Sequence, residues 1–423
     1  MPHNPRMNDS PHRAPAGDKP TILFVAPFFG RNTSKTLACF ARLPDINLGI
    51  LTQEREARIP PELRRGAAAV APVQDAQDPK ALVEAARRIE RKLGRIDRIE
   101  AHLEQLQEPV AAARTALSLP GIDANAAHNF RNKNRMKEVL RAAGVPVARQ
   151  ALVHDAEDAH RFIDEVGYPI VLKPVDGQGA DDTRRAYDDL SLSTALNALL
   201  PSRTRPAQAE EFVIGAEHTC ETVMIDGRSV WSSSVRYLPN PLQVIENPWM
   251  QYCLLLPREQ DEPHLRAFRS TNEAALRALG MRDGLSHMEW FRRPDGSAVV
   301  SEVGARPPGA NIMTMISAAH DTDTLRLLAE LAAYKRWDIP ERRFAVGCVF
   351  LRAMGGAPTI RRVTGAETLQ ARLDAQVVEA SLPVTGRPRS DHYEGDGYVL
   401  LRHPSTRGVL RGMRQVLRTV KVL

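Results

Sequence analysis

Cysteine is scarce. Four occur in 423 residues, Cys39, Cys220, Cys253 and Cys348, and no two stand as C-x-x-C. That spacing excludes a zinc knuckle and a disulfide framework, and points to reduced, buried thiols that behave as small hydrophobes. Aromatic residues make up 5% of the chain, too few for base-stacking platforms. No Lys/Arg run is dense enough to mark a nucleic-acid surface. No apolar stretch reaches the roughly 20 residues of a membrane span. The first 20 positions hold Pro2, Pro5, Pro11, Pro15 and Pro20 among polar residues without the apolar core of a signal peptide. Residues 1–19 are therefore expected to be a disordered head on a cytoplasmic protein. Three catalytic signatures also fail. GRNTSKT (30–36) lacks the glycine a P-loop needs before its lysine, His287-Met288-Glu289 lacks the P-C-x-x-C partner of a zinc deaminase, and no G-x-S-x-G occurs.

What remains is a globular composition, 43% hydrophobic with a formal net charge of +6, enough for two or three domains. The basic excess fits surface charge plus a pocket for an anionic substrate. TILFVAPFFG (21–30) reads as a buried first strand. Helical patterns at 34–43, 79–94 and 104–117 alternate with a short strand at 96–102, which predicts a Rossmann-like parallel sheet up to about residue 127. Further helices are expected at 132–146, 156–167 and 263–280, each with apolar spacing and glycine or proline at its end. YPIVLKPVDGQGADD (168–182) is a strand running into a glycine-rich loop. Two strands flank Gly215 within 208–227. Residues 232–262 show no clear periodicity and are a candidate loop over a site. Residues 341–423 mix strands with helices.

Chemistry concentrates in a hairpin. HMEWFRRPDGSAVVSEVGARPPG places Glu289 and Glu302 on either side of a turn at Pro294-Asp295-Gly296, almost opposite each other. Like charges directly paired in a ladder repel, so the pair calls for a cation, and oxygen ligands suit Mg²⁺ together with substrate phosphates. His287 is expected to pack beside them. Lys173 ends an apolar strand before Pro174 and a loop containing Gly177 and Gly179, whose N–H groups can wrap phosphates. Lys133 opens a helix. Glu210, Phe212, Val213 and Glu217 surround a strand edge able to read adenine and hold ribose hydroxyls.

The order of these pieces resembles the ATP-grasp superfamily, in particular its carboxylate–amine/thiol ligases, whose neighbours include biotin carboxylase and D-alanine–D-alanine ligase. The resemblance spans roughly 20–340. It implies an α/β and α+β architecture: an N-terminal Rossmann-like domain (20–127), an ATP-grasp domain (128–340) and a C-terminal mixed α/β extension (341–423). It also implies that Lys133 and Lys173 contact ATP phosphates, that Glu210 and the Phe212-Val213 backbone lie at the adenine, and that Glu217 lies at the ribose. Glu289 and Glu302 would carry Mg²⁺, or Mn²⁺ in its place, and Arg306 would meet the substrate or its acyl phosphate. The implied reaction joins a small carboxylate to an amine at the expense of ATP. The alternatives are a non-catalytic ATP-binding protein and a biotin-carboxylase-like carboxylase. One position departs from the pattern. The family often reads Glu-x-Asn-x-Arg, and here Gly304 replaces the asparagine, so water or Asn311 is the expected substitute ligand. Arg236, with Trp249 or Tyr252, is a candidate for the acceptor side. Residues 341–423 are expected to complete the outer face or to mediate a homodimer.

Overall fold

The computed structural model describes residues 19–175, 182–373 and 375–423. Strands β1 (Thr21–Val25), β2 (Asn47–Thr52), β3 (Ala69–Pro72) and β4 (Arg98–Glu100) form a sheet of order β3-β2-β1-β4, parallel in every pairing. Every residue of β1 is buried, because helices cover both faces of the sheet and leave no polar side to alternate. Helix Pro79–Leu93 shows how: Leu82, Ala85, Ala86 and Ile89 make its buried stripe, and Asp78 accepts from the Lys80 N–H at its start. The expected boundary near 127 falls inside helix Ala124–Arg131, and Asn132 then caps helix Lys133–Ala142.

A second sheet holds β5 (Gln150–Val153), β6 (Ile170–Pro174), β7 (Arg184–Ala186) and β8 (Ala207–Glu211) in the antiparallel order β5-β8-β6-β7. Helices Ala156–Val166 and Asp189–Leu199 pack on it through Ala159, Phe162, Leu192 and Ala195.

The third sheet is the largest. It contains β9 (Ala216–Ile225), β10 (Arg228–Ser233), β11 (Arg236–Leu238), β12 (Cys253–Leu256), β13 (Gly284–Arg292), β14 (Ala298–Gly304) and β15 (Ala345–Leu351). A short pair, β16 (Val363–Thr364) with β19 (Lys421–Val422), stands apart, while β17 (Gln376–Ser381) and β18 (Gly397–His403) join the large sheet. Its order is β14-β13-β9-β11-β12-β15-β18-β17, with β10 on β9. One expectation changes here. Residues 232–262 are not a structureless loop: they supply β11 and β12 to this sheet and, between them, helix Pro241–Glu246, though Asn240, Pro241, Leu242 and Gln243 do border the cleft described below. The segment's apolar content, Tyr237, Val244, Tyr252, Leu254 and Leu256, is core, and elements this short give no periodicity to read. Residues 341–423 continue the same sheet through β15, β18 and β17. All four cysteines are free and buried. No helix among the described residues is long and apolar enough to cross a membrane.

Candidate active site

The hairpin β13–β14 sets Glu289 directly against Glu302. A bulge makes this pairing. Trp290 faces Val300, so regular pairing would put Ser301 opposite Glu289, and the extra residue moves Glu302 into that place. The neighbouring rung pairs His287 with Gly304. On β9, Thr219 lies beside Glu289 and Glu221 beside His287, so these residues share one face. The Tyr237 hydroxyl donates to Glu289 Oε1 at 2.9 Å. His287 stands between two acids, with Nδ1 2.9 Å from Glu221 Oε1 and Nε2 3.7 Å from Glu289 Oε1. Burial disfavours its charge, but the two carboxylates win and push the imidazole up to about 9. Burial likewise works against the Glu289 anion, and His287 and Tyr237 more than offset it.

This donor set suits a divalent ion. Two opposed carboxylates plus phosphate oxygens are what Mg²⁺ commonly takes. No cluster of three or more His, Cys, Asp or Glu able to hold a metal occurs among the described residues, so nucleotide phosphates would have to complete the shell.

The lysines converge from two elements. Lys173, near the end of β6, lies 2.8 Å from Glu210 Oε1, and Lys137, from helix Lys133–Ala142, lies 2.7 Å from Glu210 Oε2. Gln208 donates to the same carboxylate at 2.5 Å. Burial raises the Glu210 carboxyl, yet the two ammonium groups bring it down to about 2. Burial lowers Lys137 to about 8, against the pull of Glu210. Glu210 thus bridges two lysines inside the cleft. Lys137 escaped the sequence reading, although it sits four residues after Lys133 and so shares its helix face. Lys133 itself is buried with Nζ 3.1 Å from Glu302 Oε1, on the carboxylate side of the site.

A cleft opens between the second sheet and the large one, lined among others by Lys137, Lys173, Phe212, Val213, Glu217, Glu289 and Glu302. Val213 is buried, and the Phe212 ring lies 4.6 Å from the Arg185 guanidinium, which also stacks on Tyr187 and pairs with Glu246. Glu217 is deeply buried; desolvation, then the Glu289 charge, holds its carboxyl well above the usual range. Gly177 and Gly179 lie outside the described residues.

Arg306 stands near the carboxylate pair, whose charge it feels, but lines a neighbouring cavity rather than this cleft. Its Nε donates to Glu104 from the N-terminal sheet's flank, and Nη1 donates to the Pro307 carbonyl at 2.9 Å. Burial opposes the charge, but Glu104 keeps the guanidinium firmly cationic. A Cβ at Gly304 would stand 3.5 Å from Arg306 Cγ, so the arginine stem covers the place of the family's asparagine. Asn311 stands at the N-cap position of helix Ile312–His320 with a left-handed backbone, φ 61°, and its amide is directed at Cys348 Sγ at 4.0 Å. Arg236 does not join the site either. It pairs with His218, which stacks on Trp290, so it lies on the opposite face of the sheet and is exposed. Trp249 is 64% exposed and Tyr252 is core, stacked on Phe350. One cleft residue comes from the C-terminal segment: Tyr393. Nothing in its local sequence, SDHYEGD, announces it.

Residues 132–225 match the family described as carbamoyl-phosphate synthase L chain, ATP binding domain. The chain has the ATP-grasp fold. An L-amino acid ligase from Bacillus licheniformis superposes with a TM-score of 0.77 at 20% identity, covering 96% of this chain and 99% of that one. In sequence, the chain is similar to an L-arginine-specific L-amino acid ligase from Bacillus subtilis, 24% identical over 58% of this chain and 59% of that protein. It is also similar to an alanine–anticapsin ligase from Bacillus subtilis strain 168, 24% identical over 58% of this chain and 56% of that protein. The match thus spans little more than half the length of these relatives.

Proposed function

We propose that the protein is an ATP-dependent ligase that activates a carboxylate as an acyl phosphate and joins it to an amine. The observation that carries this reading is the Glu289–Glu302 pair, set in a cleft with Lys137 and Lys173 and flanked by Lys133 and Arg306. The carboxylate oxygen attacks the γ-phosphorus, the bond to the β,γ-bridging oxygen breaks, and ADP leaves. The amine nitrogen then attacks the acyl carbon, phosphate departs, and the nitrogen loses a proton. Phosphoryl transfer is mostly positioning and charge neutralisation. Lys137 and Lys173 bind phosphate oxygens as fixed cations, and Glu210 holds both in place. Val213 and Phe212 receive the base, and Glu217 the ribose hydroxyls. Arg306 presents a planar fork to the substrate carboxylate or the transferred phosphoryl group. Mg²⁺ or Mn²⁺ bound by Glu289 and Glu302 would neutralise charge on the phosphate oxygens. Similarity to L-amino acid ligases supports amino acids as both substrates. The test is ADP release with the standard L-amino acids offered singly and in pairs. Release that requires a pair, with a peptide product by mass spectrometry, supports the reading. Nucleotide binding without turnover on any pair would reduce the protein to an ATP-binding one.

A further inference from the structure

Tyr237 and Glu289 lie two strands apart in the large sheet, on β11 and β13 with β9 between them. Neighbouring strands are about 4.8 Å apart, so the two backbones are separated by roughly 10 Å. A phenol and a glutamate together span that gap, and the Tyr237 hydroxyl donates to Glu289 Oε1 at 2.9 Å. Serine or threonine at 237 would stop short. The ring is held independently of the acid. Tyr237 is buried in the core of the sheet and meets Tyr252 edge-on at 5.9 Å, and Tyr252 stacks on Phe350 at 5.3 Å. A buried phenol needs a partner, and Glu289 Oε1 is the one hydrogen-bond acceptor it finds among the described residues. Phenylalanine would fill the same space, so what the hydroxyl adds, it adds to the carboxylate.

The same oxygen faces His287 Nε2 at 3.7 Å. Both neighbours thus gather on Oε1, and no donor or cationic group among the described residues pairs with Oε2. The Glu289 carboxylate is held by one oxygen and offers the other. Glu302 shows a similar division, with Oε1 3.1 Å from Lys133 Nζ. Resting on the metal role that the ligase reading gives this pair, we propose that Tyr237 is a positioning residue: its hydrogen bond turns the Glu289 carboxylate so that Oε2 is the oxygen presented to the divalent ion. Removing a donor that orients a ligating carboxylate typically costs about 10–100-fold in metal affinity. The aromatic stack behind Tyr237 makes this donor a stiff one.

Tyr237→Phe keeps the ring and removes only the donor. Binding of a non-hydrolysable ATP analogue to the full chain is titrated by calorimetry with and without Mn²⁺, and bound Mn²⁺ is counted by electron paramagnetic resonance. In Tyr237→Phe the affinity of the protein–analogue complex for Mn²⁺ should fall about tenfold or more. Without metal, the analogue should bind within about twofold of the native value. In turnover, the Mg²⁺ concentration for half the maximal rate should rise by a similar factor, and saturating Mg²⁺ should restore kcat to within about threefold. Tyr252→Phe, in the same aromatic stack but without a hydrogen bond to either acid, should leave Mn²⁺ affinity unaltered. Mn²⁺ affinity within about twofold of native in Tyr237→Phe overturns the proposal, as does an equal loss in Tyr252→Phe, which would assign the effect to packing; both leave the ligase reading intact. Weakened Mn²⁺ binding in Tyr237→Phe, with no pair-dependent ADP release from the native protein, supports the positioning role and sinks the ligase reading. Absence of Mn²⁺ binding to the native protein–analogue complex overturns both.

Discussion

Lys137 Nζ lies 2.7 Å from Glu210 Oε2, and both side chains are withdrawn almost completely from water. Burial costs a lysine its charge before any partner restores it, and here it brings Lys137 down to about 8. The ammonium is therefore present at neutral pH and is lost as pH rises through about 8. Nucleotide affinity should fall across that range, because a phosphate contact loses its cation. Calorimetric titration of a non-hydrolysable ATP analogue from neutral to alkaline pH checks this. Lys137→Met should bind more weakly at neutral pH and show a flatter pH profile; an unchanged slope in the variant would assign the titration elsewhere.

Glu210 gives a prediction of the opposite sign. Its folded value, about 2, lies below its ordinary 4.5. Its ionisation therefore stabilises the fold above pH 4.5, and that contribution disappears as pH falls through about 2. Glu210→Gln removes the anion and deprives two buried ammonium groups of their nearest carboxylate, a loss of roughly 3 kcal/mol at neutral pH. Denaturant unfolding at neutral and acid pH should show the gap between the native protein and the variant narrowing as the medium becomes acid. A gap constant with pH would mean that packing, not charge, dominates.

Glu302→Gln keeps the shape of the side chain and its place on the ladder but removes one of the two opposed charges. ADP formation should drop by about 10²-fold or more, with the circular dichroism spectrum still that of the folded protein, although Lys133 loses its carboxylate partner. Arg306→Lys should cost turnover of similar order, because a point charge cannot replace a planar fork that contacts Glu104 and the Pro307 carbonyl and still faces an oxyanion. Turnover near the native level in Glu302→Gln would sink the proposed metal role of the pair.

The pairing of Glu289 with Glu302 was legible because a single tight turn counts residues along both strands, and the bulge at Ser301 adjusted it by only one. Strand β1 and the long helices were legible for a similar reason: each carries its own periodicity. What was hidden depends on contacts far apart in sequence. Glu210 was expected at the adenine, yet its neighbours Lys137 and Lys173 come from two other elements and turn it into a clamp. The face on which Arg236 lies is decided by which β9 residue its three-residue strand meets, which no local pattern states. Tyr393 reaches the cleft only because β18 extends the large sheet past β15.

Arg185 tests the roof of the cleft. Its guanidinium stacks at 4.6 Å on both Phe212 and Tyr187 and pairs with Glu246 from helix Pro241–Glu246. It thus joins the second sheet to the rim of the large one while lining the space assigned to the base. Removing it takes away a partly desolvated cation–π contact, worth about 1–2 kcal/mol, and strands Glu246. Arg185→Ala should therefore raise the KM for ATP roughly tenfold with a smaller change in kcat. Arg236→Ala, an exposed arginine on the opposite face, should leave both constants within about twofold. Steady-state ATP kinetics on the two variants side by side decide the matter. If Arg236→Ala were the damaging one, the active face of the large sheet would be the wrong one.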